Sequence, residues 1–312
     1  METLAIIVPC YNEQEALPLF YKEASKVLEK LNYDYKLLLI NDGSKDNTLS
    51  IMKSIAEKDE HVKYLSFSRN FGKEAAMYAG FCNANADYVC VMDADMQDPP
   101  SLLPEMLEIL HTQDYDSVAT RRKNREGEPP IRSWFAHRFY EIINKISDAD
   151  IVDGARDFRL MKREMVEAIV SMTEYNRFSK GIFGWIGFKT KWLPYKNVER
   201  VAGETKWSFK SLFKYAITGI TSFSITPLRF LTCFGLVISV VAFLLIVFTL
   251  IRKLAFGIDV SGYASLLIAV LFLGGIIELS LGILGEYIAN IYLEAKDRPI
   301  YIIQDTNIKE SK

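Results

Sequence analysis

The stretch YVCVMDADMQDPP, residues 88–100, climbs out of an apolar run and then sets three aspartates, Asp93, Asp95 and Asp98, within six positions. Residues 88–93 read as a strand apolar enough to be buried on both faces, which is the habit of parallel sheets. Residues i and i+2 leaving an extended segment point to the same side, so Asp93 and Asp95 are set to present their carboxylates to one small region. Two close carboxylates repel unless a cation or hydrogen-bond donors compensate them. A divalent ion holding a nucleotide diphosphate would do so, and hard oxygen ligands suit Mg2+ or Mn2+. In isolation an Asp-x-Asp would read as a pair of solvated turn acids.

Upstream the same grammar repeats. Residues 4–9 (LAIIVP), 35–41 (YKLLLIN) and 62–67 (VKYLSF) read as strands, separated by helical patterns over 15–31, 46–58 and 73–84. Short apolar strands alternating with helices of this length argue an α/β domain with a mainly parallel sheet covered on both faces. Such sheets bind ligands beyond the carboxyl ends of their strands. Tyr11, Asn12 and Glu13, then Asn41 and Asp42, then Arg69 and Asn70, then Asp93 and Asp95 all fall at those ends. Neither GxGxxG after the first strand nor GxxxxGK[ST] anywhere is present, which argues against dinucleotide and P-loop sites. The segment NDGSKDNTLSIM offers instead a tight Asp-Gly turn and a polar helix start.

The last third changes character. Residues 231–251 carry no charge over 21 positions, about 30 Å as helix, the thickness of a hydrocarbon core. A second apolar run from Tyr263 to about residue 285 is interrupted by Glu278, and a transmembrane hairpin with spans near 231–251 and 263–285 is expected. Between the first domain and the hairpin, residues 207–219 offer Phe209, Leu212, Phe213, Ala216 and Ile217 on one face with Lys210 and Lys214 beside them, the pattern of a helix lying on a bilayer. The chain is thus divided into a catalytic domain at 1–200, an interfacial segment at 201–229, the hairpin at 230–292 and a tail at 293–312. The N-terminal apolar run is short and lacks a basic flank, so it reads as a strand rather than a leader. Lysines and arginines flank the outer ends of the hairpin, placing the catalytic domain and both termini in the cytoplasm with the inner membrane as the site of residence. The net charge of −2 and the absence of a basic stripe give no case for nucleic acid. Cys10, Cys82, Cys90 and Cys233 lack metal-ligand spacing, and His61, His111 and His137 are given no catalytic role.

Taken together, IVPCYNEQEAL, LLINDGSKDNTLSI, FSRNFGKEAAMYAGF and VMDADMQDPP resemble the successive signatures of family 2 glycosyltransferases with a GT-A fold. DGARDFRLM (153–161), NRFSKGIFGWIGF (176–188), residues 199–229 and the two spans resemble the polyprenyl-phosphate branch, that of the bactoprenol glucosyltransferases and dolichyl-phosphate mannose synthases. The resemblance implies inverting transfer of a sugar, glucose from UDP-glucose first among the candidates, to the phosphate of a membrane polyprenol. UDP-N-acetylhexosamine, GDP-mannose or an amino-sugar nucleotide as donor, or a hydroxyl acceptor, are the alternatives. It also implies that Pro9, Tyr11 and Glu13 line the nucleoside pocket, that Asp42 contacts the base, that Asp93 positions the ribose or diphosphate, and that Asp95 with Gln97 holds the Mg2+ or Mn2+. The QxxRW motif of processive polysaccharide synthases is absent, with NRFSKG in the comparable region. The product would serve the cell envelope, in wall or surface-polymer glycosylation.

The acceptor chemistry adds further residues. A phosphate monoester is already ionised near neutral pH, so it needs positive charge more than a general base. Guanidinium forks favour phosphate, and Arg177 and Arg200, with Lys206, are the expected clamps. Asp157 is the expected catalytic acid of DGARDFRLM, either orienting or deprotonating the acceptor. A homo-oligomer is expected, because two spans carrying small residues and Glu278 leave helix faces to be satisfied.

Overall fold

In the computed structural model the described residues are 1–122, 138, 141, 143–147, 151–152, 154–195, 217–256 and 262–309. They form eight strands, β1 (Thr3–Cys10), β2 (Asp34–Asn41), β3 (Val62–Phe67), β4 (Tyr88–Val91), β5 (Ser117–Arg122), β6 (Ala155–Lys162), β7 (Thr190–Tyr195) and β8 (Ile303–Thr306). The helices are α1 (Ala16–Leu28), α2 (Thr48–Lys58), α3 (Lys73–Asn83), α4 (Leu103–Thr112), α5 (Arg163–Ser171), α6 (Ser179–Trp185), α7 (Thr226–Phe256) and α8 (Tyr263–Ala295).

All eight strands join one sheet in the order β7-β5-β6-β4-β1-β2-β3-β8. The neighbours β4, β1, β2 and β3 are parallel, and β6 and β8 run antiparallel to β4 and β3. Alternation along β1 shows why its sequence is apolar throughout: Leu4, Ile6 and Val8 pack with Leu17, Phe20 and Met106 on one face, and Ala5 and Ile7 pack with Ala76, Met77 and Met165 on the other. Each large apolar side chain fully buried in this way contributes roughly 1.5–3 kcal/mol. In α1 the buried residues Ala16, Leu17, Phe20, Ala24 and Leu28 repeat at helical spacing, which fixes the face turned to the sheet.

The parallel strands deliver their carboxyl ends to a single edge, as the sequence implied. The antiparallel β6 adds a partner that the apolar pattern did not announce. Its register sets Val91 against Arg159 and Cys90 against Leu160. Carried two residues further, the same register brings Asp157 opposite Asp93.

The two apolar helices are longer than their charge-free stretches. α7 starts at Thr226 and runs to Phe256, and α8 continues from Tyr263 to Ala295, because backbone hydrogen bonding continues where hydrocarbon gives way to headgroups. Both are long and apolar enough to cross a membrane, and their apolar windows are not buried within the chain. Such a continuous exposed run of Phe, Leu and Ile suits lipid and marks the chain as membrane-associated. Both ends of the pair return to the same domain. A helical segment at 217–223 precedes α7, with Gly219 against the Phe178 ring. Beyond α8, residues read from sequence as a tail form β8. Near its C-terminal end, α8 receives the loop after α5: Tyr175 N–H donates to Glu294 at 2.9 Å and Asn176 to Asn290 at 3.1 Å. Most of the interfacial helix expected over 207–219 lies outside the described residues.

One turn at the functional edge is legible as a stability prediction. Gly43 has φ 61°, and a Cβ there would lie 2.3 Å from the Arg69 carbonyl carbon and 2.5 Å from the Asn70 nitrogen. Gly43→Ala therefore combines left-handed strain with a clash against backbone that cannot rotate away, and about 3 kcal/mol of destabilisation is expected. Thermal unfolding of the detergent-solubilised full chain checks this; a transition unchanged from wild type contradicts it.

Candidate active site

At the centre of the strand edge stands Lys73, the first residue of α3. Its Nζ lies 2.7 Å from Asp93 Oδ1 and 2.9 Å from Asp93 Oδ2, and 2.5 Å from Asp157 Oδ2. All three side chains are half-buried. Burial by itself would lower the proton affinity of Lys73, but the carboxylates of Asp157 and Asp93 overrule it and hold the ammonium firmly protonated. Burial likewise works to raise the pKa of Asp157, yet Lys73, then Lys180 and Arg156, hold it well below the usual carboxylate range. A lysine in the first turn of a helix faces the positive end of the dipole, so its place there is explained by the two acids in front of it. Sequence reasoning missed Lys73. A lysine at a helix start directly after a glycine, Gly72, was the signal available in the sequence.

The carboxylate loop itself departs from the extended geometry expected of it. The ladder of β4 stops at Val91, and Asp95 sits in a turn whose next residue, Met96, is held at φ 60°. A left-handed non-glycine residue stores strain of the kind that clusters at functional sites. Asp95 is buried and accepts the Gln97 N–H at 3.1 Å. Gln97, expected as a metal ligand, turns its Oε1 to Arg156 at 2.9 Å. Arg156 in turn reaches Asp98 at 3.3 Å and the Tyr195 hydroxyl at 3.1 Å, and that hydroxyl donates to the same Asp98 oxygen. Asp98 is fully buried, and among the described residues its Oδ2 has no hydrogen-bond partner. Burial raises its pKa against the pull of Arg156.

No three His, Cys, Asp or Glu side chains among the described residues converge as a ready-made metal cage. The donor set, Asp93 and Asp95 with an orphan Asp98 oxygen nearby in sequence, fits a hard divalent cation that completes its shell with phosphate oxygens, the usual habit of Mg2+.

The residues expected to line a nucleoside pocket fall at the same edge. Pro9 is half-buried near the end of β1, Tyr11 and Glu13 follow it half-buried, and Glu13 N–H donates to Thr48 Oγ1 at 2.8 Å. Asp42, expected to contact a base, is buried, and its two oxygens receive Phe71 N–H at 2.6 Å, Gly72 N–H at 3.0 Å and Asn70 Nδ2 at 2.9 Å. It organises the loop that leads to Lys73. Burial pushes Asp42 up to about 6, against these donors.

Arg177, expected to grip the acceptor phosphate, lies elsewhere. Its guanidinium donates to the Met172 carbonyl and, at 3.4 Å, to the Ile169 carbonyl at the end of α5, and it stacks 4.2 Å over Tyr78. Cations near a helix C-terminus satisfy its orphan carbonyls, and that is the physical reason for the correction. Arg159 is likewise structural: it is buried between Phe183 and Trp192 and donates to Ser117 and Thr190, and burial pushes it down to about 9. Arg200 and Lys206 lie outside the described residues.

Glu74, next to Lys73, fastens α3 to α6 by accepting the Ser179 N–H at 3.0 Å and its hydroxyl. Burial raises it from an ordinary 4.5 to about 7. Between those values the folded chain binds this proton more tightly than the unfolded one, so its contribution to stability falls as pH rises through the window. Melting temperatures of wild type and Glu74→Gln at about pH 5 and about pH 8 should diverge accordingly, wild type losing more on the way up. Parallel curves would contradict the assignment.

Residues 5–170 match the family described as Glycosyl transferase family 2. A prophage bactoprenol glucosyl transferase homolog of Escherichia coli K12 is 44% identical over 301 residues, covering 96% of this chain and 98% of that protein. A bactoprenol glucosyl transferase of Shigella phage SfV is 43% identical over 306 residues, covering 98% and 99%. Among solved structures, glucosyl-3-phosphoglycerate synthase from Mycobacterium tuberculosis is similar at 14% identity and a TM-score of 0.48, covering 70% of this chain and 78% of that one. With a family match over more than half of its length and relatives matched almost end to end, the chain belongs to glycosyltransferase family 2.

Proposed function

We propose that the chain transfers glucose from UDP-glucose to the phosphate of a membrane polyprenol, with inversion, giving glucosyl-phosphoryl-polyprenol and UDP. The observation that carries this reading is the 43% and 44% identity, over nearly the whole of both chains and through the apolar helices, to proteins named bactoprenol glucosyl transferases. A lipid acceptor also gives the helix pair a purpose. α7 and α8 would hold the strand edge at headgroup depth, with residues 1–200 carrying the chemistry, 230–292 crossing the inner membrane twice, and both termini cytoplasmic.

In the reaction an oxygen of the acceptor phosphate bonds to the anomeric carbon as the bond from that carbon to the diphosphate oxygen breaks, and the electron pair leaves with UDP. A divalent Mg2+ or Mn2+ bound with the diphosphate would stabilise the charge gathering on the leaving group. Asp95 is the residue that would hold it, with Asp93 beside it. Lys73 keeps Asp93 and Asp157 apart in charge, so that an anionic donor and an anionic acceptor can occupy neighbouring ground. Asp157 is held ionised by Lys73, and an acceptor phosphate already ionised needs no base. Its role is therefore to orient the reacting groups. Among the described residues Lys180, whose charge acts on Asp157, is a further candidate to meet the acceptor phosphate.

The test is incubation of the detergent-solubilised full chain with a short polyprenyl phosphate and a panel of nucleotide sugars, with Mg2+, Mn2+ or EDTA. A lipid product of the mass of the glucosyl phosphodiester, formed from UDP-glucose and abolished by EDTA, is expected. Nucleotide release to water or to a soluble sugar without any lipid product would overturn the lipid-acceptor reading, and product from another donor would overturn the choice of glucose.

A further inference from the structure

After α8 the chain reverses at Asp297, held at φ 46°, and comes back to the sheet. β8 pairs with β3 so that Leu65 faces Thr306 and Ser66 faces Asp305. Asn307 extends the pairing with its side chain, accepting the Tyr64 N–H at 2.7 Å and donating to the Val62 carbonyl at 3.2 Å. Asp305 is tied to Lys53 at 2.5 Å and to the Tyr64 hydroxyl at 3.2 Å. Where β3 ends, Ser68 N–H donates to the Ile302 carbonyl at 3.0 Å. The Tyr301 ring stacks on Phe67 with centroids 5.1 Å apart and 19° between planes, and Phe67 meets Phe71 edge-on at 5.8 Å.

These contacts end on the segment the active site depends on. Residues 68–72 carry the amides that hold Asp42, and Lys73 follows directly. Gly43 packs against the backbone of Arg69 and Asn70 from the other side. The loop is thus clamped between the β2 turn and a strand supplied by residues beyond the membrane helices.

We propose that the C-terminal segment, β8 with the preceding Tyr301, is a positioning element of the donor site: Tyr301, through Phe67 and Phe71, fixes the 68–72 loop and with it Asp42 and Lys73. A consequence is that the lipid-facing helix pair and the nucleotide-facing loop are mechanically joined through the short connection from Ala295 to Tyr301. The inference deepens the donor site proposed above and rests on that reading for its binding consequence, while its structural consequence stands independently.

The experiment uses the full chain in detergent and compares wild type, Tyr301→Ala and Tyr301→Phe by amide hydrogen exchange and by titration with UDP in the presence of Mn2+. In Tyr301→Ala, exchange of the 68–73 segment should rise and the dissociation constant for UDP should increase about 3- to 10-fold, the size expected for one lost aromatic pair. The global melting transition should persist, and Tyr301→Phe, which keeps the ring, should restore both readouts. If Tyr301→Ala loses the folded state, Asn307→Ala, which frees only the edge pairing, carries the same expectation. Unchanged exchange over 68–73, or unchanged UDP affinity in a wild type that binds UDP, overturns the proposal. A wild type that binds no UDP would instead contradict the donor reading, and the exchange result would still decide the role of the strand.

Discussion

Lys73→Met is expected to lower kcat/KM by at least about 100-fold, the scale seen when one preorganised charge is removed from a reacting centre. The variant keeps most of the side-chain volume and deletes the ammonium that lies within 2.9 Å of both Asp93 and Asp157. Two carboxylates then face one another without compensation, and the proton affinity of Asp157 rises. The acid limb of the pH–rate profile should accordingly move to higher pH in the variant, because wild-type Asp157 stays ionised far into the acid range. A purely structural lysine would leave that limb in place. Lys73→Arg retains the charge and should recover part of the loss. Activity of Lys73→Met within about 3-fold of wild type would remove this residue from the mechanism.

Asp95→Asn should cost about 10²- to 10³-fold in kcat/KM. The amide is isosteric, and its oxygen can still accept the Gln97 N–H, so the strained turn at Met96 is preserved. What disappears is the charge on the oxygen proposed to hold the cation. The loss should therefore be relieved in part by raising Mn2+, with the apparent metal affinity lower by at least about 10-fold. Measuring initial rates across a Mn2+ series separates this from misfolding. A loss that no metal concentration relieves, in a variant that still folds, would argue that Asp95 holds the loop and not the cation.

The extent to which the sequence announced all this follows from the physics of each element. β1 to β4 were legible because burial on both faces leaves little room for polar residues, so continuous apolar runs such as LAIIVP stand out. Their polar C-terminal ends were legible for the same reason. β6 was obscured by the charged residues Arg156, Asp157 and Arg159 interspersed with Phe158 and Leu160, and β8, at the sheet edge, is a short strand of which Gln304, Asp305 and Thr306 are polar. Pairings across long sequence separations were not legible. Lys73 and Asp157 are 84 residues apart, and only the antiparallel register of β6 on β4 brings them together. Arg177 misled because a guanidinium among aromatics looks like a ligand-binding fork, while the carbonyls it serves belong to the end of α5. The donors that hold Asp42 were not legible either, because they come from the loop after the next strand.

The central claim, sugar transfer from a nucleotide to a lipid phosphate across the Lys73-centred edge, is tested most directly by following the anomeric carbon. The full chain in bilayer discs containing polyprenyl phosphate would receive UDP-glucose labelled with carbon-13 at C1, and the product would be read by NMR. The account predicts that the label appears in a glycosyl phosphodiester of the lipid, with phosphorus coupling at C1 and the inverted, β configuration. Label in free glucose, or in a lipid product of retained configuration, would contradict it.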